Sequence, residues 1–170
     1  CDDAEVVLVT LGSIAGLARE SIARLREQGK RVGLLRIRYM RPFPAKLIAE
    51  ALAGAAAVGV LEKDISFGAE GTVFTNVNSA LQQAGCTTPT FNFIGGLGGG
   101  DITSAQMDAM FDALLDSVGE RGRDDAAAGR SCDDASTGQG AGLGRVSFLG
   151  IDFPVASQPA CGDDCEEGAR

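Results

Sequence analysis

At 170 residues, with 45% hydrophobic and 22% charged side chains and a formal net charge of −8, the chain has the composition of one globular domain plus an extension. It contains no histidine, which removes Ser-His-Asp and Cys-His catalysis, histidine-ligated metals and a histidine proton shuttle together. The charge is uneven, close to balance through Leu115 (10 basic, 12 acidic) and strongly acidic from Asp116 onward (5 basic, 11 acidic). Nucleic acid is therefore not an expected partner, because phosphate binding needs clustered Lys and Arg. No apolar run approaches the ~20 residues of a membrane span and nothing resembles a signal peptide. The expectation is a cytoplasmic protein with no membrane partner. Cys1, Cys86, Cys132, Cys161 and Cys165 are odd in number and scattered, which argues against a secreted disulfide framework. The chain opens on Cys1 directly ahead of a strand-like run, which reads as a fragment, a cut subunit or a processed start.

In chain order, Val6 to Leu11 is apolar enough for a strand buried on both faces. Gly12 and Ser13 break it. Ile14, Leu17, Ala18, Ile22 and Leu25 follow helical spacing, and Gly29 supplies a stop. A second strand, Val32 to Ile37, leads through Arg41-Pro42-Phe43 to Pro44, which suits a first helical position. Leu47, Ile48, Ala51 and Leu52 make that helix's stripe. The third strand, Ala57 to Leu61, ends in Glu62-Lys63-Asp64, and a loop with Ser66, Gly68 and Gly71 precedes the helical run Val73, Phe74, Val77, Ala80 and Leu81. The fourth strand, Thr90 to Ile94, empties into Gly95-Gly96-Leu97-Gly98-Gly99-Gly100-Asp101. Thr103 and Gln106 then have the spacing of a capping box ahead of Met107, Met110, Phe111, Leu114 and Leu115.

Strands separated by single helices imply parallel pairing, because parallel neighbours need a crossover. The predicted fold is α/β: a three-layer α/β/α sandwich with a mostly parallel sheet of about five strands. Residues 1–117 form this domain. Residues 118–144, rich in Gly, Ala and Asp, read as a disordered linker. Residues 145–155 offer one closing strand at the sheet edge, and 156–170 read as a disordered acidic tail.

Four features invite a chemical reading. The glycines of 95–100, with Gly96 and Gly98 among them, do not complete a dinucleotide fingerprint: Asp101 stands where a third glycine is expected, and no Gly-Lys-Ser/Thr follows. An acid at the loop's end repels phosphate, and a tight strand-to-helix turn explains the glycines as well. From Arg19 to Arg41, eight residues are basic and two acidic; Arg36 and Arg38 share a strand face and Arg41 follows in the exit loop. That cluster suits an anion or a partner subunit near the strands' carboxyl ends, or a solvated strand end. Glu62 and Asp64 suit acid–base work, or else capping of the next loop or pairing with a nearby Arg. Cys161 and Cys165 lack the further ligands of a zinc or iron–sulfur site. The residues themselves thus indicate no catalytic group, no metal site and no bound cofactor. Arg36, Arg38, Arg41, Gly96, Gly98 and Asp101 are the candidate anion or subunit contacts; an alternative reading is a free-standing anion- or nucleotide-binding module that uses the Gly95–Asp101 loop and the Arg cluster.

Three stretches add a resemblance. Val32 to Pro44 resembles the second strand and exit loop of transketolase-type C-terminal domains. With Gly59 to Gly68 and Asn92 to Thr103, it is similar to the C-terminal domain of the α subunit of pyruvate:ferredoxin oxidoreductases (pyruvate synthases) over residues 4–115. Arg145 to Ile151 is similar to that subunit's short closing segment. The resemblance implies oxidative decarboxylation of a 2-oxoacid, pyruvate foremost, with coenzyme A to an acyl-CoA, carbon dioxide and reduced ferredoxin. It implies thiamine diphosphate, iron–sulfur clusters and coenzyme A for the whole enzyme, held by other domains and subunits that are this chain's partners, with ferredoxin an indirect one. None of the family's thiamine or cluster motifs stands in this sequence, so no catalytic residue carries across. A transketolase or deoxyxylulose-phosphate synthase fragment fits less well, since those enzymes often place a histidine in this domain.

Overall fold

A computed structural model describes residues 3–66, 70–128 and 146–148, with the backbone alone considered for 120–128 and 146–148. Five strands, β1 (Val6–Leu11), β2 (Val32–Ile37), β3 (Ala57–Glu62), β4 (Thr90–Ile94) and β5 (Val146–Phe148), alternate with four helices, α1 (Ala15–Glu27), α2 (Ala45–Leu52), α3 (Thr72–Gln83) and α4 (Ser104–Ala128). All strand pairs are parallel, in the order β2-β1-β3-β4-β5. Every strand therefore ends at the same edge of the sheet, and the exit loops of β1 to β4 gather there.

The central strands carry no alternation because both faces are covered. Val6, Leu8, Leu61 and Phe93 pack with Leu25 of α1 and Met107, Met110, Phe111 and Leu114 of α4. Val7, Val9, Val58 and Val60 pack with Ile48 and Leu52 of α2 and Phe74, Val77 and Leu81 of α3 on the opposite face. The predicted three-layer sandwich is the fold observed. Gly59, mid-β3, sits under α4: a β-carbon there would lie 2.9 Å from Leu114 Cδ1 and from Phe93 Cε2.

The helix termini differ from the sequence reading in two places. Pro44 stands one residue before α2 with φ −82° and ψ 59°, and its carbonyl accepts the Ile48 N–H at 3.0 Å. It caps rather than opens the helix. More substantially, α4 continues to Ala128, through the first part of the stretch expected to be a disordered linker. Gly119 and Gly122 are weak positions, whereas Glu120, Arg121, Arg123 and the three alanines 126–128 all favour helix. The rest of that linker, 129–144, and the acidic tail 156–170 lie outside the described residues. At the other end of α4 the capping box forms: Thr103 Oγ1 accepts the Gln106 N–H at 3.2 Å and Gln106 Oε1 accepts the Thr103 N–H at 2.9 Å. The closing strand is in place at Val146–Phe148, beside β4. Among the described residues no helix is long and apolar enough to cross a membrane.

Candidate functional site

In an open parallel sheet, ligands and partners meet the carboxyl ends of the strands. Three separate groups of residues occupy that edge here.

The first lies between β3 and α3. Glu62 closes β3, 4% exposed, and its side chain reaches the helix N-terminus. Its Oε2 accepts the Val73 N–H at 2.8 Å, and its Oε1 accepts the Phe74 N–H at 3.1 Å and Asn92 Nδ2 at 2.9 Å. Asn92, fully buried in β4, accepts the Gly71 N–H on its Oδ1 at 2.8 Å. Asp64, exposed in the loop, accepts the Thr72 N–H at 3.4 Å. The first three N–H groups of α3, which no helical carbonyl serves, thus face two carboxylates of the chain itself. Negative charge there also complements the helix dipole.

The capping explains Gly71. Its φ of −76° asks for no glycine, but a β-carbon would fall 1.9 Å from the Cδ and Oε1 of Glu62. Burial pushes the Glu62 carboxyl up to about 7, and Asp64 adds to that, against the downward pull of the Val73 and Phe74 N–H groups. A carboxyl titrating near neutrality suggests acid–base catalysis, yet geometry rules against it here. Both oxygens are committed, Gly71 closes over them, and no substrate atom can approach. The sequence leaves acid–base work, capping of the next loop and pairing with Arg open for Glu62 and Asp64; the geometry shows them capping the helix that follows that loop.

The second group is the glycine corner after β4. Gly96, Gly98 and Gly99 have φ of 70°, 65° and 85°, so the run is glycine because the backbone turns left-handed. A β-carbon on Gly96 would also meet Lys63, 2.9 Å from its Cε. Asp101 is exposed beyond the corner.

The third group is the arginine stretch, which the fold divides. Four of its eight cations are matched within the chain: Arg24 with Asp108 at 2.5 Å, Lys30 with Asp112 at 2.5 Å, Arg26 with Asp3 at 2.9 Å and Arg31 with Glu5 at 3.0 Å. The first ties α1 to α4, and the second ties the loop after α1 to α4. The Arg26 guanidinium holds the Asp3 carboxyl below its usual range. Arg41 turns to the Met40 carbonyl at 2.8 Å and to Asn76 of α3. Arg19 of α1 and Arg36 and Arg38 of β2 and its exit loop remain, exposed and with no ion-pair partner among the described residues. Arg36 and Arg38 line an open recess of about 480 Å³ with Leu11, Gly12, Ile37 and Tyr39.

The structure therefore brings Arg36 and Arg38 together, but not with Arg41, Gly96, Gly98 or Asp101. Strands β1 and β3 stand between β2 and the glycine corner of β4, a separation of roughly 14 Å at ~4.8 Å per strand. The sequence reading missed Gly71 and Asn92. A polar amide inside Thr90-Phe91-Asn92-Phe93-Ile94 was the available signal, since a buried Asn needs partners. Among the described residues no group of three His, Cys, Asp or Glu side chains could hold a metal ion, and Cys86 is the one cysteine.

This is a parallel α/β domain of the kind found in transketolases and 2-oxoacid oxidoreductases. It superposes with a TM-score of 0.55 on a split-gene transketolase solved as an inactive beta4 tetramer, at 18% identity over 67% of this chain and 40% of that one. With 2-oxoglutarate:ferredoxin oxidoreductase from Magnetococcus marinus, solved with 2-oxoglutarate, coenzyme A and succinyl-CoA bound, the TM-score is 0.52 at 19% identity, covering 68% and 18% of the two chains. Those likenesses establish the fold. Residues 4–107 match pyruvate:ferredoxin oxidoreductase core domain II, and the chain belongs to that family. It is 44% identical over 110 residues to pyruvate synthase subunit PorA of Methanothermobacter thermautotrophicus, covering 65% of this chain and 28% of that subunit. Ketoisovalerate oxidoreductase subunit VorA of Pyrococcus abyssi is 38% identical over 109 residues, 64% of this chain and 28% of the subunit. The α subunit of NADH-dependent phenylglyoxylate dehydrogenase from Aromatoleum evansii is 35% identical over 112 residues, 65% and 27%. The chain spans between a quarter and a third of the length of these relatives.

Proposed function

We propose that this chain is the assembly domain of the α-type subunit of a cytoplasmic 2-oxoacid:ferredoxin oxidoreductase. The enzyme decarboxylates pyruvate, its proposed acid, and passes the acyl group to coenzyme A and the electrons to ferredoxin. Thiamine diphosphate, iron–sulfur clusters and coenzyme A are assigned to other domains and subunits of the enzyme, as the family resemblance implies. The observation that carries this reading is the family match over residues 4–107. It is supported by the variety of acids in the relatives' names. Pyruvate, ketoisovalerate and phenylglyoxylate enzymes share this segment at 44%, 38% and 35% identity. A segment common to enzymes of such different acids suits scaffolding better than substrate choice. Pyruvate is preferred because its enzyme gives the highest of these identities.

The anion- or nucleotide-module reading is not favoured. The N-terminus of α3 is filled by Glu62 and Asp64, α4 is capped by Thr103, and the glycine corner has a backbone explanation.

The test is co-expression with the thiamine-binding and iron–sulfur subunits from the same source. The chain is expected to elute in one complex that reduces ferredoxin when given pyruvate and coenzyme A, and to be inactive alone. A complex that assembles and turns over at full rate after deletion of this domain overturns the assignment.

A further inference from the structure

Resting on that reading, we infer that the recess between the ends of β1 and β2 is where an acidic segment of a partner subunit docks, seated on Arg36, Arg38 and Tyr39. Three observations carry it. First, two unmatched cations stand side by side. The chain matches Arg24, Arg26, Lys30 and Arg31 with its own Asp108, Asp3, Asp112 and Glu5, while Arg36 and Arg38 share one recess without a carboxylate among the described residues. Arg19, Arg41 and Lys63 also make no ion pair among the described residues, but Arg36 and Arg38 line a single recess, where one outside acidic segment can meet both guanidinium groups. Arginine's fork suits carboxylates in particular, binding both oxygens at once.

Second, apolar exposure collects at the same spot. Three large hydrophobic side chains are exposed among the described residues, and two of them, Tyr39 at 75% and Leu11 at 38%, line this recess. Tyrosine and arginine are the residue types that dominate binding energy at protein interfaces. A free phosphate would use the arginines and ignore Tyr39 and Leu11; a polypeptide segment uses all four.

Third, β2 is the outermost strand of the sheet, and the recess lies at its carboxyl end. Edge strands are a common place for a partner to meet a sheet. The expected occupant carries Asp or Glu beside an apolar residue.

The experiment measures association of the full chain with the purified thiamine-binding and iron–sulfur subunits by native mass spectrometry and calorimetry. Arg36→Glu with Arg38→Glu is expected to weaken association at least tenfold, Tyr39→Ala to weaken it by a smaller factor, and Arg19→Glu, an exposed cation on α1, to leave it unchanged. Because the three recess side chains are exposed, thermal melts of these variants are expected to match the parent chain. Raising salt is expected to weaken the parent and not the double reversal. Equal association of parent and double reversal overturns the docking site while leaving the assembly role intact; failure of the parent chain to associate overturns the assembly role itself. Three further outcomes reassign the recess and also overturn the inference. These are inorganic phosphate binding lost with the arginines while assembly is kept, self-association of the chain abolished by the reversal, and tighter partner binding by a chain ending at residue 155.

Discussion

Gly71→Ala is expected to destabilise the domain by about 3 kcal/mol and to lower its melting temperature by roughly 10 °C. The backbone at Gly71 would accept alanine, so the effect comes wholly from contact with the Glu62 carboxylate. A flexible carboxylate would ordinarily swing aside at little cost. This one is held by the Val73 and Phe74 N–H groups and by Asn92, and moving it takes the acceptor from the Val73 N–H and one acceptor each from Phe74 and Asn92, whose Nδ2 keeps the Val60 carbonyl. The mechanism has a signature. In a Glu62→Ala background the added methyl should be nearly neutral, since the group it strikes has gone, giving a strongly non-additive double-mutant cycle. Additive losses measured by urea unfolding would show that Gly71 is glycine for another reason.

The second large effect is the pH dependence of stability. The Glu62 carboxyl is raised from 4.5 to about 7 in the folded chain, so the folded state holds its proton more tightly than the unfolded state. Its contribution to stability is therefore fully present below pH 4.5 and declines as pH rises to 7, with a slope of at most about 1.4 kcal/mol per pH unit for one proton. Most domains gain stability over this acidic range as their carboxylates ionise, so the expected trend is unusual. Glu62→Gln should remove the decline. It should also lower stability by about 1–3 kcal/mol, because its amide sets one donor against the Val73 N–H. A parent chain whose stability difference from Glu62→Gln is constant between pH 4.5 and 7 would contradict the assigned titration.

Much of the fold was legible because its elements are local and their covering is uniform. Ala57 to Leu61 is apolar throughout and Val6 to Leu11 is apolar but for Thr10, a pattern that strands sandwiched between two helix layers require. Single helical runs between strands then force parallel pairing. Thr103 and Gln106 announced their cap by spacing alone. Helix ends were harder. The extension of α4 to Ala128 was hidden by Gly119 and by a composition poor in bulky residues, although Glu, Arg and Ala form helix without a core to pack on.

The site was legible in its parts and not in its arrangement. Glu62 with Asp64, the glycine corner and Arg36 with Arg38 all stand out in the sequence. What each group meets depends on strand order, which no local pattern encodes. The order β2-β1-β3-β4 keeps the arginines from the glycines, and it sets Asn92 of β4 beside Glu62 of β3 to form the cap. Tyr39 and Leu11 carry no signal as single exposed residues, and only their meeting at one recess with two unmatched arginines gives them a role.

If this domain supports the oxidoreductase by holding its parts together, none of its side chains takes part in the reaction. Glu62 is the sharpest place to ask, being buried at the carboxyl edge and titrating near neutrality. Pyruvate- and coenzyme A-dependent ferredoxin reduction by the assembled enzyme carrying Glu62→Gln, measured per mole of intact complex across pH, decides it. The account predicts a kcat within about twofold of the parent and an unmoved pH profile. A hundredfold loss of kcat at unchanged KM, on the order of what removal of a general acid or base produces, would contradict it.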